Sequence, residues 1–359
     1  MDSVDSPYRV RDVPPVGGDV RLGWNASLQR SWVELGSLGR PGRASRLDRG
    51  WSTIVHDVDE PSIRVRNIGA DVAVGDWVIV SPDGERVETV IERFSAFTRR
   101  ASFEGNRAVA HTIAANIDTV VLVHALNTPP NQRRLERELI LAFDSGGRPA
   151  VVVTKSDVVD DPEPTIAMLE AVAVGVPVMR ASGISGEGVE QLRSLVPPGQ
   201  TMALLGASGV GKSTLINALV GGHLLRTSEV RENDGRGRHT TTACELVRLP
   251  GTEHGWLIDT PGVRAVSLWS SGTGIERAFS DVFDLSERCR FRDCKHEDEP
   301  GCAVTAAITA GVLDPRRLDA MKRLVAEEHA LEEEQRAWAK AQDRRGMRKK
   351  PPRRSGAEG

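Results

Sequence analysis

Two different patterns of apolar and polar residues divide the chain. Between Arg43 and Phe94, short β-branched stretches alternate with turn signals such as Asp48-Arg49-Gly50 and Pro82-Asp83-Gly84. We predict five strands here: Arg43–Leu47, Trp51–Val55, Ile63–Asn67, Trp77–Ser81 and Arg86–Phe94. Five short strands in about 55 residues indicate a small β-barrel of the OB type, which often binds nucleic acid. A barrel with a purely structural role is the alternative, because a fold alone does not define a function.

From Ile117 onwards, apolar strands alternate with helical patterns. The predicted strands are Thr119–Leu126, Ala150–Val153, Val176–Met179, Met202–Leu205, Cys244–Leu249 and Gly255–Ile258. Asn131 is expected to cap a helix that has Leu135, Leu139, Ile140 and Phe143 on one face. This alternation predicts an α/β domain with a mostly parallel, buried sheet. After about residue 275 the chain becomes helical, and the basic stretch from Lys340 to Arg354 indicates either a solvated tail or an RNA contact.

A phosphate-binding loop follows the predicted strand Met202–Leu205. It has the sequence Gly206-Ala207-Ser208-Gly209-Val210-Gly211-Lys212-Ser213, and Thr214 continues into a helical run. The glycines let the backbone N–H groups surround phosphates, and the positive end of the helix adds to that attraction. Lys212 is expected to neutralise phosphate charge during catalysis, and the Ser213 hydroxyl to bind Mg²⁺. A chance glycine-rich turn between a strand and a helix is the alternative.

Asp259 ends the strand Gly255–Ile258 and begins the sequence Asp-Thr-Pro-Gly. That spacing is typical of an aspartate on the magnesium side of a nucleotide site. The glycine of this sequence, Gly262, can donate its N–H to a γ-phosphate. Taken alone, Asp-Thr-Pro-Gly indicates only a turn. Because a phosphate loop lies upstream, we interpret it as part of a nucleotide site.

Two further segments have the composition of guanine-reading loops. Thr154-Lys155-Ser156-Asp157 follows a buried strand, and its aspartate can accept two hydrogen bonds from the guanine edge, which adenine cannot donate. Ser182 and Gly183 lie in a loop that presents a backbone N–H to the guanine carbonyl. Thr154 stands where Asn is common, so we expect modestly weaker binding. Both segments precede the phosphate loop, which is the order of a circularly permuted GTPase.

The sequence lacks a water-orienting glutamine at the position where many GTPases have one. Val263 follows Gly262, where many GTPases have a water-orienting Gln, so unaided turnover should be slow. His239 is the best local candidate for this role, because an imidazole can orient water or stabilise charge. A solvent-facing or partner-facing His239 is an equal alternative. Thr241, in the run Thr240-Thr241-Thr242, is expected to reach Mg²⁺.

Three cysteines and one histidine form a compact cluster. Cys289, Cys294, His296 and Cys302 lie within 14 residues, and this ligand set suits a closed, tetrahedral, structural Zn²⁺. Coincidental cysteines beside an exposed His296 are the alternative. Cys244 lies apart from the cluster, within a predicted strand, and is expected to be a buried thiol.

The same residues resemble the RsgA/YjeQ family of circularly permuted GTPases that depend on the small ribosomal subunit. The resemblance covers about Arg43 to Leu324 and also includes Val74-Gly75-Asp76-Trp77-Val78, Ile113-Ala114-Ala115-Asn116-Ile117-Asp118 and Gly237-Arg238-His239-Thr240-Thr241-Thr242. It implies a late-acting assembly factor that binds the small subunit and its rRNA, that hydrolyses GTP to GDP when the subunit stimulates it, and that carries Zn²⁺ in a C-terminal domain.

The expected organisation is a multidomain α/β protein. It comprises a flexible extension over residues 1–38, an OB-fold domain over 39–112, a circularly permuted GTPase domain over 113–272, a helical zinc-binding domain over 273–335 and a basic tail over 336–359. The chain has 47 basic and 50 acidic residues, so RNA contacts must come from local patches. We expect a cytoplasmic protein, since no apolar stretch is long enough to cross a membrane. We also expect a monomer.

Two other functional classes compete with this interpretation. A P-loop kinase or ATPase that acts on a small molecule would not need Asp157, and an RNA-binding protein with a purely structural nucleotide site would not need Lys212, Ser213 and Asp259. For RNA contact, the sequence offers the arginines 40, 43, 46, 49, 93, 99, 100 and 107.

Overall fold

The computed structural model describes residues 17–37, 39–100, 110–222, 244–251, 253–259 and 273–348. Its strands are β1 Pro41–Asp48, β2 Trp51–Val55, β3 Ile63–Arg66, β4 Trp77–Val80, β5 Val87–Val90, β6 Ala96–Arg100, β7 Ala110–Ala115, β8 Thr119–Ala125, β9 Arg148–Thr154, β10 Val178–Arg180, β11 Thr201–Gly206, β12 Glu245–Arg248 and β13 Trp256–Asp259. Its α-helices are α1 Ala26–Glu34, α2 Gln132–Asp144, α3 Glu163–Glu170, α4 Val189–Arg193, α5 Lys212–Val220, α6 Thr273–Ala278, α7 Ser280–Ser286, α8 Ala303–Thr309 and α9 Pro315–Arg348.

The first five strands pair in a closed order. β1 pairs with β2 and β4, β2 pairs with β3, and β4 pairs with β5. A parallel bridge between Arg66 and Arg86 brings β3 to β5 and completes the ring. Alternate residues of these strands fill one apolar interior that contains Ala44, Ile54 and Val65. The five predicted strands are confirmed, and their pairing is that of a small barrel.

The α/β part of the chain has the predicted parallel sheet. Its strand order is β10-β9-β8-β11-β13-β12, and every neighbouring pair is parallel except β12 with β13. The predicted cap at Asn131 is confirmed, because its side chain accepts a hydrogen bond from the N–H of Arg134 at 3.0 Å. The multidomain α/β class is therefore confirmed.

The two sheets meet through one strand. β12 pairs antiparallel with β1, with Glu245 opposite Arg46, so the barrel and the α/β sheet form a continuous surface. The hairpin β6–β7, which was not predicted, joins the two parts along the chain.

Residues 17–37 pack against the body of the protein. The Asn25 side chain caps α1, and Trp24 and Trp32 are each only 5 % exposed. The Trp24 ring meets the Trp77 ring edge-on, with 4.9 Å between centroids. The prediction of a flexible extension is wrong for these residues, because the two indoles bury enough apolar surface to outweigh a composition rich in Gly and Pro.

Helix α9 is attached to the α/β domain by ion pairs. Arg323 lies 2.5 Å from the Glu136 carboxylate, and Arg137 lies 2.8 Å from that of Glu327, so both pairs join α9 to α2. The helix continues to Arg348, so the predicted start of a separate tail at residue 336 falls within it. Among the described residues, no helix is both long and apolar enough to cross a membrane.

Candidate nucleotide, metal and RNA sites

The phosphate loop connects β11 to α5 in the predicted place. Gly206 has no room for a side chain, because a Cβ there would lie 2.4 Å from the carbonyl oxygen of Val123. Lys212 Nζ donates to the carbonyl oxygen of Gly206 at 2.7 Å and to that of Ala207, so the ammonium group lies over the loop. Ser213 is exposed at the first turn of α5. The loop therefore offers backbone N–H groups, an ammonium and a hydroxyl to the same space.

Thr154 links the predicted base-reading loop to the phosphate loop. Its hydroxyl lies 2.5 Å from the carbonyl oxygen of Val210 and 3.1 Å from that of His124, and the side chain is buried. Thr154 therefore contacts the phosphate loop directly, although it stands where Asn is common. The effect of Thr154 on guanine affinity stays a prediction.

The two base-reading segments come together at the start of α5. Ser182 Oγ donates to Asp157 Oδ1 at 2.8 Å and accepts from the backbone N–H of Ser185 at 3.1 Å. A Cβ on Gly183 would lie 2.7 Å from the backbone of Thr214, so this loop lies directly against the phosphate-loop helix. Segments that come first in the sequence therefore lie beside the phosphate loop in space, together with Lys155 and Ser156.

Asp259 ends β13, the strand next to β11. It is only 7 % exposed, and this desolvation raises the pKa of its carboxyl to about 6. The Lys212 ammonium lowers that pKa and the Glu245 carboxylate raises it, so both charges lie near Asp259. The carboxylate and the Ser213 hydroxyl are oxygen ligands of the kind that Mg²⁺ prefers, so the residues fit that ion. Sequence reasoning missed Glu245, although its position opposite Asp259 follows from the pairing of β12 with β13.

Several predicted residues lie outside the part of the chain that the structure describes. They are His239, Thr240, Thr241, Thr242, Gly262, Val263 and Arg107.

The Cys₃His cluster has the dimensions of a tetrahedral zinc site. The Sγ atoms of Cys289 and Cys302 are 3.9 Å apart, and His296 Nδ1 lies 3.6 Å and 3.4 Å from them. All four ligand atoms, including Cys294 Sγ, lie within 4.8 Å of one another. Zn–S bonds of about 2.3 Å and Zn–N bonds of about 2.0 Å require ligand separations of about 3.5–3.8 Å. The residues therefore fit Zn²⁺.

The arginines proposed for RNA contact differ in burial and in their hydrogen bonds. Arg43 is buried, and it donates to the carbonyl oxygens of Leu22, Gly75 and Asn116 and to Thr201 Oγ1. Burial lowers its pKa to about 10. The prediction of an RNA contact is wrong for Arg43, because all its nitrogens already bind protein oxygens.

Two other arginines in that set are held by carboxylates. Arg40 forms two hydrogen bonds with Glu60. Arg93 lies 2.7 Å from the buried carboxylate of Asp76. Arg46 and Arg49 are exposed.

A parallel sheet with a phosphate loop after β11, an aspartate at the end of β13 and base-reading loops from earlier strands defines a P-loop GTPase fold joined in permuted order. The RsgA GTPase family model matches residues 90–269. The chain belongs to the RsgA family of GTPases.

Comparisons with individual proteins agree with this family. The chain is 41 % identical over 340 residues to the small ribosomal subunit biogenesis GTPase RsgA of Streptomyces coelicolor, covering 91 % of each chain. It is 36 % identical to the protein of the same name from Methanosarcina acetivorans, over 85 % of this chain and 84 % of that one. The crystal structure of YjeQ from Thermotoga maritima aligns with a TM-score of 0.61 and 25 % identity, covering 80 % of this chain and 98 % of that chain. YloQ, described as a circularly permuted GTPase, aligns with a TM-score of 0.59 and 22 % identity, covering 81 % and 95 %.

Proposed function

We propose that this protein hydrolyses GTP to GDP and phosphate while it assists late maturation of the small ribosomal subunit. One observation carries the nucleotide part: Asp157 and Ser182 lie on loops that contact the phosphate-loop helix, and Lys212 and Asp259 lie beside the same loop. The subunit as partner is supported by relatives named small ribosomal subunit biogenesis GTPase RsgA, which match about nine tenths of the chain at about 40 % identity.

Each part of the nucleotide has residues suited to it. The backbone N–H groups of residues 207–213 and the Lys212 ammonium bind the phosphates. Asp157 accepts the two N–H donors of the guanine edge, Lys155 lies across the base, and Gly183 donates its N–H to the guanine carbonyl. Ser213, Asp259 and Thr241 would hold Mg²⁺, which neutralises charge on the β- and γ-phosphates when bound.

The hydrolytic step requires help from outside the described residues. Since Val263 has no polar atom to orient water, we assign that role to His239, which acts when the subunit is bound. In this proposal the subunit raises turnover and GDP favours release. His239→Ala should remove the stimulated turnover and leave GTP affinity unchanged. A variant that keeps full stimulated turnover would exclude His239 from the mechanism.

The remaining parts of the chain support this activity. The barrel binds rRNA, the Cys₃His cluster binds one structural Zn²⁺, and the protein acts in the cytoplasm as a monomer. Gly262 senses the γ-phosphate through its N–H. In this proposal the domain limits are those predicted from the sequence, with two changes: residues 17–37 belong to the body, and α9 continues past residue 336.

The test is GTP turnover by the full chain, with and without purified small ribosomal subunits. ATP serves as the nucleotide control, and Lys212→Ala as the inactive protein. We expect slow turnover alone, stimulation of at least about tenfold by subunits, and no stimulation with ATP. Turnover that subunits leave unchanged would refute the subunit as the activating partner. Equal use of ATP would refute the assignment of Asp157.

A further inference from the structure

One outer face of the barrel combines a tryptophan with three arginines. Along β1, β2 and β3 the residues opposite one another form two rows across the strands. Arg46, Thr53 and Arg64 form the first row, and Asp48, Trp51 and Arg66 form the second. Their neighbours Ala44, Ile54 and Val65 point into the barrel, so these six side chains point outward. We call these six residues the arginine–tryptophan face.

The indole of Trp51 lies at the centre of this face. The guanidinium carbons of Arg64 and Arg66 lie 5.2 Å and 5.3 Å from its ring centroid, within the range of cation–π contact. Both arginines are exposed, and Trp51 is only partly buried. The face therefore presents to solvent an aromatic ring that has two cations close to it.

The arginines of this face are more available to a ligand than three other arginines of the barrel. Arg40 and Arg93 are held by carboxylates, and Arg43 is buried. Among the six residues of the face, Asp48 is the single acid for three arginines, and it contacts Arg64 at 3.2 Å. Glu245 of β12 borders the face, opposite Arg46. These six residues therefore carry two more positive than negative charges around a partly buried aromatic ring. Beside it lies Ile68, which is 80 % exposed after the end of β3.

We propose that this face binds single-stranded RNA by stacking a base on Trp51 and contacting phosphates through Arg46, Arg64 and Arg66. The proposal rests on the proposed function and names the surface through which the barrel meets RNA. Aromatic stacking requires a base that is not already stacked in a duplex, so the ring favours single strands. Three strands span about 10 Å, which suits one or two nucleotides.

A duplex or a protein would use this face differently. Duplex RNA would engage the arginines but not the ring, because its bases are paired and stacked. A protein partner would have to supply acidic side chains to match three guanidinium groups, whereas RNA supplies phosphate oxygens at every nucleotide.

The test measures binding of the full chain to a fluorescein-labelled twelve-nucleotide RNA of mixed sequence by anisotropy. The same strand annealed to its complement is the comparison, and KCl is varied from about 50 to 200 mM. We expect tighter binding of the single strand, about tenfold weaker binding for Trp51→Ala, and near-normal binding for Trp51→Phe. Arg66→Gln should lower the slope of log affinity against log salt by about 0.7. Arg30→Gln, an exposed arginine on α1, is the matched control and should change neither.

Several outcomes would overturn the proposal. They are equal binding of single strand and duplex, unchanged binding by Trp51→Ala, and a loss by Trp51→Ala that appears with intact subunits but not with naked RNA, which would indicate a protein partner. Basal GTP turnover should be the same in all face variants, which shows that they fold. If subunits do not stimulate the wild type, the proposed function fails, while the anisotropy result still decides this proposal.

Discussion

Burial of the Asp259 carboxyl should make the nucleotide-free protein less stable at neutral pH than a variant with an uncharged side chain at this position. Its pKa is about 6, compared with 3.8 for an unburied aspartate, chiefly because the side chain is desolvated. A difference of this size corresponds to about 3 kcal/mol at neutral pH, and partial access of water reduces the expected effect to about 1–2 kcal/mol. Asp259→Asn keeps the shape and removes the charge. We therefore expect this variant to be more stable than the wild type by about 1–2 kcal/mol at pH 7.5 without Mg²⁺ or nucleotide.

The stability difference between Asp259→Asn and the wild type should also depend on pH. Because the folded-state pKa of Asp259 is raised, its contribution favours the folded state below about pH 4 and is lost as the pH rises through about 6. The amide introduced by the substitution does not titrate. The stability difference between Asp259→Asn and wild type should therefore shrink to about half between pH 7.5 and pH 5.

Urea unfolding in EDTA at several pH values measures this difference, because the contributions of all other titrating groups cancel between the two proteins. GTP turnover by the variant should fall by at least about a hundredfold, since Mg²⁺ loses a proposed ligand. A variant that is less stable than the wild type at pH 7.5, or a difference that does not change with pH, would refute the reasoning.

Four other substitutions test individual contacts. Thr154→Val removes a hydroxyl whose single proton is shared between two buried carbonyl oxygens, so GTP-analogue binding measured by fluorescence should weaken about tenfold, whereas Thr154→Ser should bind normally. Arg43→Met removes all the hydrogen bonds of a buried guanidinium and should cost at least about 3 kcal/mol in urea unfolding; a loss below about 1 kcal/mol would contradict its central role. Cys294→Ser should lower the zinc content measured by atomic emission and the melting temperature together, and a protein purified without zinc would contradict the site. Glu245→Gln removes a charge that raises the pKa of Asp259, so the stability gained by Asp259→Asn should be smaller in that background; strict additivity would show that the two carboxylates do not interact.

The elements that sequence predicted best are those with strong local signals. The five barrel strands lie within a few residues of their predicted limits, because Asp48-Arg49-Gly50 and Pro82-Asp83-Gly84 mark the turns that end β1 and precede β5. Helix α2 begins after Asn131 as expected, since an N-cap is a local feature. The phosphate loop was predictable for the same reason, because its glycines, Lys212 and Ser213 are close together in the sequence.

The features that sequence could not predict depend on contacts between distant residues. Arg43 looked like a surface cation, yet it bonds to Leu22, Asn116 and Thr201, which lie up to 158 residues away. The packing of Trp24 on Trp77 is equally remote, so composition alone indicated a loose extension. The effect of the neighbouring charge of Glu245 on Asp259 required knowledge of which strand pairs with β13.

Strand β12 pairs with a strand of the barrel on one side and with β13 of the α/β sheet on the other. A single row of opposed residues runs from Asp259 through Glu245, Arg46 and Thr53 to Arg64. One end of this row is the proposed magnesium ligand, and the other end is the arginine–tryptophan face. Arg46 is therefore only two strands, about 10 Å, from Asp259. Backbone pairing of β1 with β12 and of β12 with β13 therefore joins the arginine–tryptophan face to the proposed magnesium ligand with no intervening loop.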